Sequence, residues 1–434
     1  MDHIEKKIIE TIDSKRDVIL SFAKDIEQHP ELGFEEKRTA GCVEKIFRDL
    51  DLKVRTSLAR TGVRGDIKGK EGPNVTIIGE MDGIVCWSHP LADPKTGAAH
   101  ACGHHAQLAA MAGAAMALCE KEVRASLDGG VTFFAVPAEE YVNAEKRRRI
   151  KELQIGFPAS GKSELIRTGE LDHTDIIMTT HVHMIPCKEK LYLGNAASNG
   201  FTAEVVNIQG KAAHAAINPW DGVNALSIAT SAIQMMGLMR ETFREKDHVR
   251  LHNVIRKAGE VINSVPEEAV VETKVRAADL ERIQAVRKMI DRAYDGAAYA
   301  FGGKIRREIL QGYMPVRFRP ADTALIEAAR DLKVPARCAV EEDFNDACTD
   351  VGDLTHLFPV LNFTFAGTEG SLHGADFKVT DEDTAYILPA KMLALSVYKL
   401  LKEQGKEAKK IIDSYHPVFS RDSYVEYIKE QFHI

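Results

Sequence analysis

Apolar residues recur near the start of the chain at Ile4, Ile8, Ile9, Ile12, Val18, Ile19 and Phe22, a helical spacing that puts them on one face. The pattern stops before His29-Pro30, where a proline and the residue ahead of it disfavour helical backbone, so a helix is expected over residues 3–28. Short β-branched runs follow at Val75-Thr76-Ile77-Ile78 and at Val131-Thr132-Phe133-Phe134-Ala135-Val136, separated by an alanine-rich helical stretch over residues 107–120. Strand, helix and strand with a crossover of this kind predict a mostly parallel α/β sheet. Functional side chains in such a sheet collect at the carboxyl ends of the strands. Asp82 follows the first run, Glu139 and Glu140 follow the second, and His181 follows Asp175-Ile176-Ile177-Met178.

From about residue 196 the texture changes. Alternating Phe201, Ala203, Val205 and Ile208, a helix over 222–243, further alternation over 261–275 and a helix near 279–300 predict a β-α-β-β-α-β unit, a small antiparallel sheet carrying two helices. After residue 312 the α/β pattern returns, with Leu361-Asn362-Phe363-Thr364-Phe365 as a buried strand and a long helix over 383–401. The expected organisation is a mostly parallel α/β domain made of residues 1–195 and 315–434, with an inserted α+β (ferredoxin-like) domain at 196–314. Residues 405–434 read as a charged tail dotted with aromatics, to which no element is assigned.

At 434 residues the chain exceeds one ordinary core. Its 44% apolar and 28% charged residues are those of a globular protein, and the longest apolar run, 108–118, is too short to span a bilayer. Met1-Asp2-His3-Ile4-Glu5-Lys6-Lys7 carries charge where a secretory signal is apolar, which predicts an unprocessed, cytoplasmic chain. A net charge of −7 argues against nucleic acid or an anionic membrane as partner, and the run Lys146-Arg147-Arg148-Arg149, following Glu139, Glu140 and Glu145, reads as a solvated helix face. Seven widely spaced cysteines form no disulfide framework and are expected to be mostly buried thiols, Cys102 excepted.

Cys102 belongs to His100-Ala101-Cys102-Gly103-His104-His105, directly ahead of the apolar helix. Thiolate and imidazole bind borderline divalent ions most tightly, and a glycine turn before a helix fixes their directions; the bland alternative is a surface turn with incidental histidines. A second motif, Gly156-Phe157-Pro158-Ala159-Ser160-Gly161-Lys162-Ser163, matches the phosphate-binding pattern G-x-x-x-x-G-K-S. That loop works only between a buried strand and a helix, whereas residues 147–155 are charged and helix-like, so no nucleotide site is expected.

Five segments occur in order: Glu80-Met81-Asp82, His100-Ala101-Cys102-Gly103-His104, Pro137-Ala138-Glu139-Glu140, Thr180-His181-Val182-His183 and Ser371-Leu372-His373-Gly374. Together they resemble the di-metal amidohydrolases that include aminoacylases, carboxypeptidase-type peptidases, hippurate hydrolases, plant auxin-conjugate hydrolases and aminobenzoyl-glutamate hydrolases. The likeness covers residues 1 to about 402, with His29-Pro30-Glu31-Leu32-Gly33-Phe34-Glu35-Glu36 near its start. Gly210-Lys211-Ala212-Ala213-His214-Ala215, with Pro219, Gly222, Asn224 and Ala225, looks like that family's dimerisation-domain motif.

The resemblance implies that Cys102, His104, Glu140, His181 and His373 hold two divalent ions per subunit, Mn²⁺ or Zn²⁺ with Co²⁺ and Ni²⁺ also compatible, beside Glu139 as catalytic base and Asp82 in an orienting role. It implies also that His214, reaching over from a partner subunit, stabilises the tetrahedral intermediate, and that Asn263 and Arg276 contact a substrate carboxylate. The expected assembly is a homodimer through the inserted domain, with a higher oligomer left open, acting on a small molecule. Two departures stand out: His105 occupies a position usually held by Asp and could itself ligate, and residues 141–168 form a longer segment than in relatives. The function implied is hydrolysis of the amide bond of an N-acyl or N-aroyl amino acid, an aminobenzoyl-glutamate-like or similar small amide. Dipeptide cleavage, hydrolytic deamination of an aromatic amine and metal binding without catalysis are the alternatives.

Overall fold

Two sheets organise the chain, for which a computed structural model describes residues 1–140, 150 and 155–433. The basic run at 146–149 and most of the start of the 141–168 segment lie outside the described residues. The larger sheet has the order Lys53–Leu58, Gly62–Ile67, Gly130–Val136, Asn74–Glu80, Ile176–Val182, Val360–Phe365, Leu191–Leu193, Ala336–Cys338. Its centre, from Gly130–Val136 through Val360–Phe365, is parallel, and antiparallel pairing is confined to the flanks. The mostly parallel α/β sheet read from the sequence is therefore present. Asn74–Glu80 is buried at every position after Asn74, as a strand covered by helices on both faces must be.

The helix His104–Leu118 is buried at every residue except Met116. It packs against the sheet and against the helices His3–Ser14, Arg16–Glu27 and Leu388–Leu401. Its alanines and Gly113 permit this close approach: a Cβ on Gly113 would lie 2.8 Å from the Ala390 Cβ. The single helix expected over 3–28 is instead two, broken at Lys15, whose φ of −100° and ψ of 6° leave the α region. Each half lays its own face on the core, Ile8 and Ile12 from the first and Ile19, Ala23 and Ile26 from the second. The long helix expected at 383–401 begins with a wider π turn at Asp383–Ile387 before Leu388–Leu401. Pro389 has no N–H to close an ordinary turn.

By contact the chain divides into two compact units, one of residues 1–196, 317–345 and 353–425, the other of 197–316, 346–352 and 426–434. The second contains an antiparallel sheet ordered Arg250–Ala258, Glu268–Ala277, Gly200–Gln209, Lys304–Leu310, with helices Ala225–Met239 and Leu280–Phe301 packed on it. That is the β-α-β-β-α-β order. The alternation expected over 261–275 resolves into the strand Glu268–Ala277 alone, while the strand Arg250–Ala258 lies outside the predicted elements. It is an edge strand in which only Leu251 is buried, and its register shifts between Ile255 and Lys257, so it carries little apolar period. The C-terminal tail holds the helices Lys406–Ser414 and Arg421–Phe432. Tyr424, fully buried, donates its hydroxyl to Asp353 Oδ1 at 2.8 Å. Among the described residues no helix is long and apolar enough to cross a membrane.

Candidate metal centre

The parallel centre of the sheet sends several chain segments to one edge. Glu80 and Val136 end their strands in register, so Asp82 leaves beside Glu139 and Glu140, while His181 lies near the end of Ile176–Val182. The helix His104–Leu118 starts at the same edge. Its N-cap, Gly103, has a φ of +85°, and a Cβ there would sit 2.8 Å from Val182 Cγ1; only glycine meets both conditions without strain. Within the helix, Gln107 accepts the Glu80 N–H at 2.7 Å through Oε1 and donates from Nε2 to the Thr180 carbonyl at 2.6 Å, tying the helix to two strand ends.

Donor atoms of Cys102, His104 and His181 lie within 4.8 Å of one another, as do those of Cys102, Glu140 and His373, and those of His104, Glu139 and Glu140. Cys102 Sγ is 3.3 Å from His373 Nε2 and 3.6 Å from His181 Nε2, and His373 Nε2 is 3.2 Å from Glu140 Oε1. Cys102 is thus common to two donor groups, the arrangement a thiolate shared by two cations requires. The His104 Nδ1–H donates to the Asp82 backbone carbonyl at 2.7 Å, and the His181 Nδ1–H to that of Val182 at 3.0 Å. Each Nε2 is thereby turned toward the cluster, the orientation that partners behind the ring impose on metal-binding imidazoles.

The charges agree. Burial alone would raise the Asp82 carboxyl, but hydrogen bonds from His104 and from the Glu140 and Glu139 amides hold it below the usual carboxylate range, the Glu140 N–H reaching Asp82 Oδ2 at 2.8 Å. Burial, reinforced by the Glu140 charge, pushes the Cys102 thiol well above its ordinary value, so a thiolate there needs a cation beside it. Thiolate, imidazole and carboxylate in one buried cluster fit divalent transition ions.

Two neighbouring glutamates can both reach the cluster because the chain turns sharply just before them. Ala138 has a φ of +53°, an uncommon conformation for a residue with a Cβ. Glu36, buried beneath it, accepts the Ala138 N–H at 2.8 Å and the Thr61 hydroxyl at 2.6 Å; burial, with Asp82 nearby, pushes the Glu36 carboxyl up to about 8. Glu36 and Gln107 carry no motif of their own, although Glu36 closes the quoted 29–36 stretch.

His105 belongs to none of the donor groups among the described residues. One residue further round the helix than His104, it is fully buried, with its ring 5.5 Å from His100 and 5.9 Å from Tyr386. Burial lowers its pKa well below the ordinary value, making it a neutral packing residue. Lys162, of the phosphate-loop lookalike, is also fully buried, its Nζ 2.5 Å from Glu80 Oε1, so its charge faces inward.

In the second unit His214 and Asn263 are neighbours: the Ala215 N–H donates to the Asn263 carbonyl at 3.0 Å, and His214 bridges to Ser264. His214 is exposed, and its Nδ1 accepts the N–H groups of Ala216 and Ile217 at 3.2 and 3.1 Å, which leaves Nε2–H as an outward donor. Arg276, near the end of Glu268–Ala277, lines a cavity of about 780 Å³ with Arg240, Arg244, Arg250 and His252.

Residues 196–300 match the model of a peptidase dimerisation domain. An N-acetyl-L-cysteine deacetylase of Bacillus subtilis is 28% identical to the chain, over 91% of it and 90% of the relative. Among solved structures, a dinuclear metal-binding peptidase of the M20 family from Bacillus subtilis superposes with a TM-score of 0.67 at 21% identity, covering 90% of this chain and 99% of that one. An aminobenzoyl-glutamate utilization protein from Klebsiella pneumoniae superposes with a TM-score of 0.64 at 17% identity, covering 91% and 98%. The five motifs stand in order with their side chains drawn to one sheet edge, and the chain carries an M20 peptidase dimerisation domain and has as its relatives amidohydrolases and peptidases of that family, enzymes that hydrolyse C–N bonds.

Proposed function

We propose that this enzyme cleaves the amide bond of an N-acyl or N-aroyl amino acid, with Cys102, His104, Glu140, His181 and His373 holding two divalent ions and Glu139 as general base. The observation that carries the reading is the convergence of these donor atoms around Cys102 with the Glu139 carboxylate alongside. When bound, the ions polarise the scissile carbonyl and lower the pKa of water at the site. Glu139 takes the proton of the attacking water and passes it to the departing amine. Asp82 keeps the His104 ring and the Glu140 backbone in place through the hydrogen bonds above. Reaching over from a partner subunit, the His214 Nε2–H would donate to the developing oxyanion, and Asn263 and Arg276 are suited to a substrate carboxylate. The likeness to a deacetylase of an N-acetylated amino acid supports this substrate class.

The match to a dimerisation domain supports a homodimer formed through the second unit; a cytoplasmic location is part of the same proposal. Mn²⁺ or Zn²⁺ is the expected metal, with Co²⁺ or Ni²⁺ as substitutes.

Chelation is expected to abolish hydrolysis of an N-acyl amino acid panel, and either Mn²⁺ or Zn²⁺ to restore it; activity indifferent to metal refutes the proposal. Glu139→Gln is expected to keep both ions and lose about 10² to 10⁴-fold in kcat. Full turnover in that variant removes Glu139 from its role. Product analysis decides among substrates: a carboxylic acid and an amino acid fit the proposal, two amino acids indicate a dipeptidase, and ammonia a deaminase.

A further inference from the structure

We propose that Glu80 is an additional metal ligand, sharing the ion held by His104, and that the buried Lys162 is the positioning residue that aims it. The inference rests on the reading of the cluster as a metal centre.

Glu80 ends the central strand Asn74–Glu80 and is 2% exposed. Its Oε2 lies 3.2 Å from His104 Nε2. His104 Nδ1 donates to the Asp82 carbonyl, and Nε2, itself buried, makes no hydrogen bond among the described residues. The separation of Oε2 and Nε2 is that of two ligands on one ion: two ligand atoms each about 2.1 Å from an ion, subtending about 90° to 110°, stand about 3.0 to 3.4 Å apart. A Glu80 oxygen also lies within 4.8 Å of a Glu139 oxygen, so the carboxylate borders the reacting centre.

The other face of Glu80 accounts for its orientation. Lys162 Nζ is 2.5 Å from Oε1, and the lysine, 0% exposed, enters on the short helix Gly161–Arg167, whose first turn is capped by Ser160. A lysine is brought into an interior only with an anionic partner. Here it takes one carboxylate oxygen and leaves the other directed at His104, while the Gln107 amide holds the Glu80 backbone at 2.7 Å. Lys162 also offsets one negative charge in a cluster that gathers Glu80, Asp82, Glu139 and Glu140. The competing arrangement is a purely structural ion pair, with His104 doubly protonated and absent from coordination.

The test uses the full-length protein, wild type and the variants Glu80→Ala, Glu80→Gln, Lys162→Met and Lys162→Arg. Ion stoichiometry, affinity by chelator competition and the absorption spectrum of the Co²⁺-loaded protein are measured, with thermal melts of the metal-free forms as folding controls. Glu80→Ala is expected to weaken one of two ions at least tenfold and change the Co²⁺ bands, leaving the other ion unaffected. The isosteric Glu80→Gln gives the same result if the alanine variant does not fold. Lys162→Met is expected to weaken that same ion about tenfold, and Lys162→Arg to recover part of the loss. Unchanged affinity and an unchanged Co²⁺ spectrum in a folded Glu80 variant overturn the ligand role. Unchanged affinity in Lys162→Met alone overturns the positioning role. A wild type that binds no ion is a distinct result, which removes the metal-centre reading itself.

Discussion

Gly103 shows how much of the centre depends on single backbone positions. With a φ of +85° and no room beside Val182, it lets Cys102 and His104 approach the cluster from opposite sides of one turn. Gly103→Ala is expected to lose about 2 kcal/mol or more of stability, from positive-φ strain and overpacking together, and to bind metal more weakly. Urea unfolding with metal analysis checks both; a variant as stable and as fully loaded as wild type contradicts the steric account. Ala138 solves a similar problem differently, since there a residue with a Cβ is held at positive φ by a hydrogen bond to the Glu36 carboxyl group.

Among the helices, a largely buried cluster of charge joins His3–Ser14 to the end of Leu388–Leu401 and to Asp331. Glu5 of His3–Ser14 meets Lys399 at 2.7 Å and Lys402 at 3.1 Å, and Lys399 also reaches Asp331 at 2.6 Å. Burial alone would raise the Glu5 carboxyl, but the two lysines and the Asp2 backbone lower it from 4.5 to about 2. A carboxyl with a depressed folded-state pKa stabilises the fold above its unfolded value, and that contribution disappears as pH falls from about 4.5 through about 2. Glu5→Gln is therefore expected to lower the melting temperature at neutral pH and to flatten its decline across that acid window. Parallel wild-type and mutant melts from pH 2 to 7 measure this, and identical slopes would show that Glu5 is not a source of acid lability.

For the molecule as a whole, the proposed role of His214 links activity to assembly. The second unit offers two sheet edges. Lys304–Leu310 carries Lys304, Arg306, Arg307 and Glu308, a charged edge that discourages pairing, whereas Arg250–Ala258, which also carries Arg250, Arg256 and Lys257, exposes the adjacent apolar pair Val254 and Ile255 between them. Charged residues at Val254 and Ile255 are expected to convert the proposed dimer to monomer by analytical ultracentrifugation. If His214 serves its partner's centre, the monomer keeps its metal and loses turnover. A sharper experiment mixes His214→Ala with Glu139→Ala, each inactive alone. Random reassortment makes half of the dimers hybrids with one intact centre each, so about a quarter of wild-type activity is expected, and no recovery would place His214 within its own subunit.

Local patterns carry much of this protein. The buried parallel strands read as unbroken apolar runs, the ferredoxin-like unit as alternation, and the candidate ligands as short motifs, because each depends only on neighbours a few positions away. Amphipathic spacing did not reveal the edge strand Arg250–Ala258 or the break at Lys15, where apolar burial is slight or the backbone departs from a single period. Which of two adjacent histidines faces the cluster depends on how the helix His104–Leu118 lies on the sheet, so His105 became known as a packing residue only in three dimensions. The same holds for Lys162 and Glu80, partners 82 positions apart: a charge's role is set by what the fold brings to within a few ångströms of it, and no local spacing encodes a contact between distant segments.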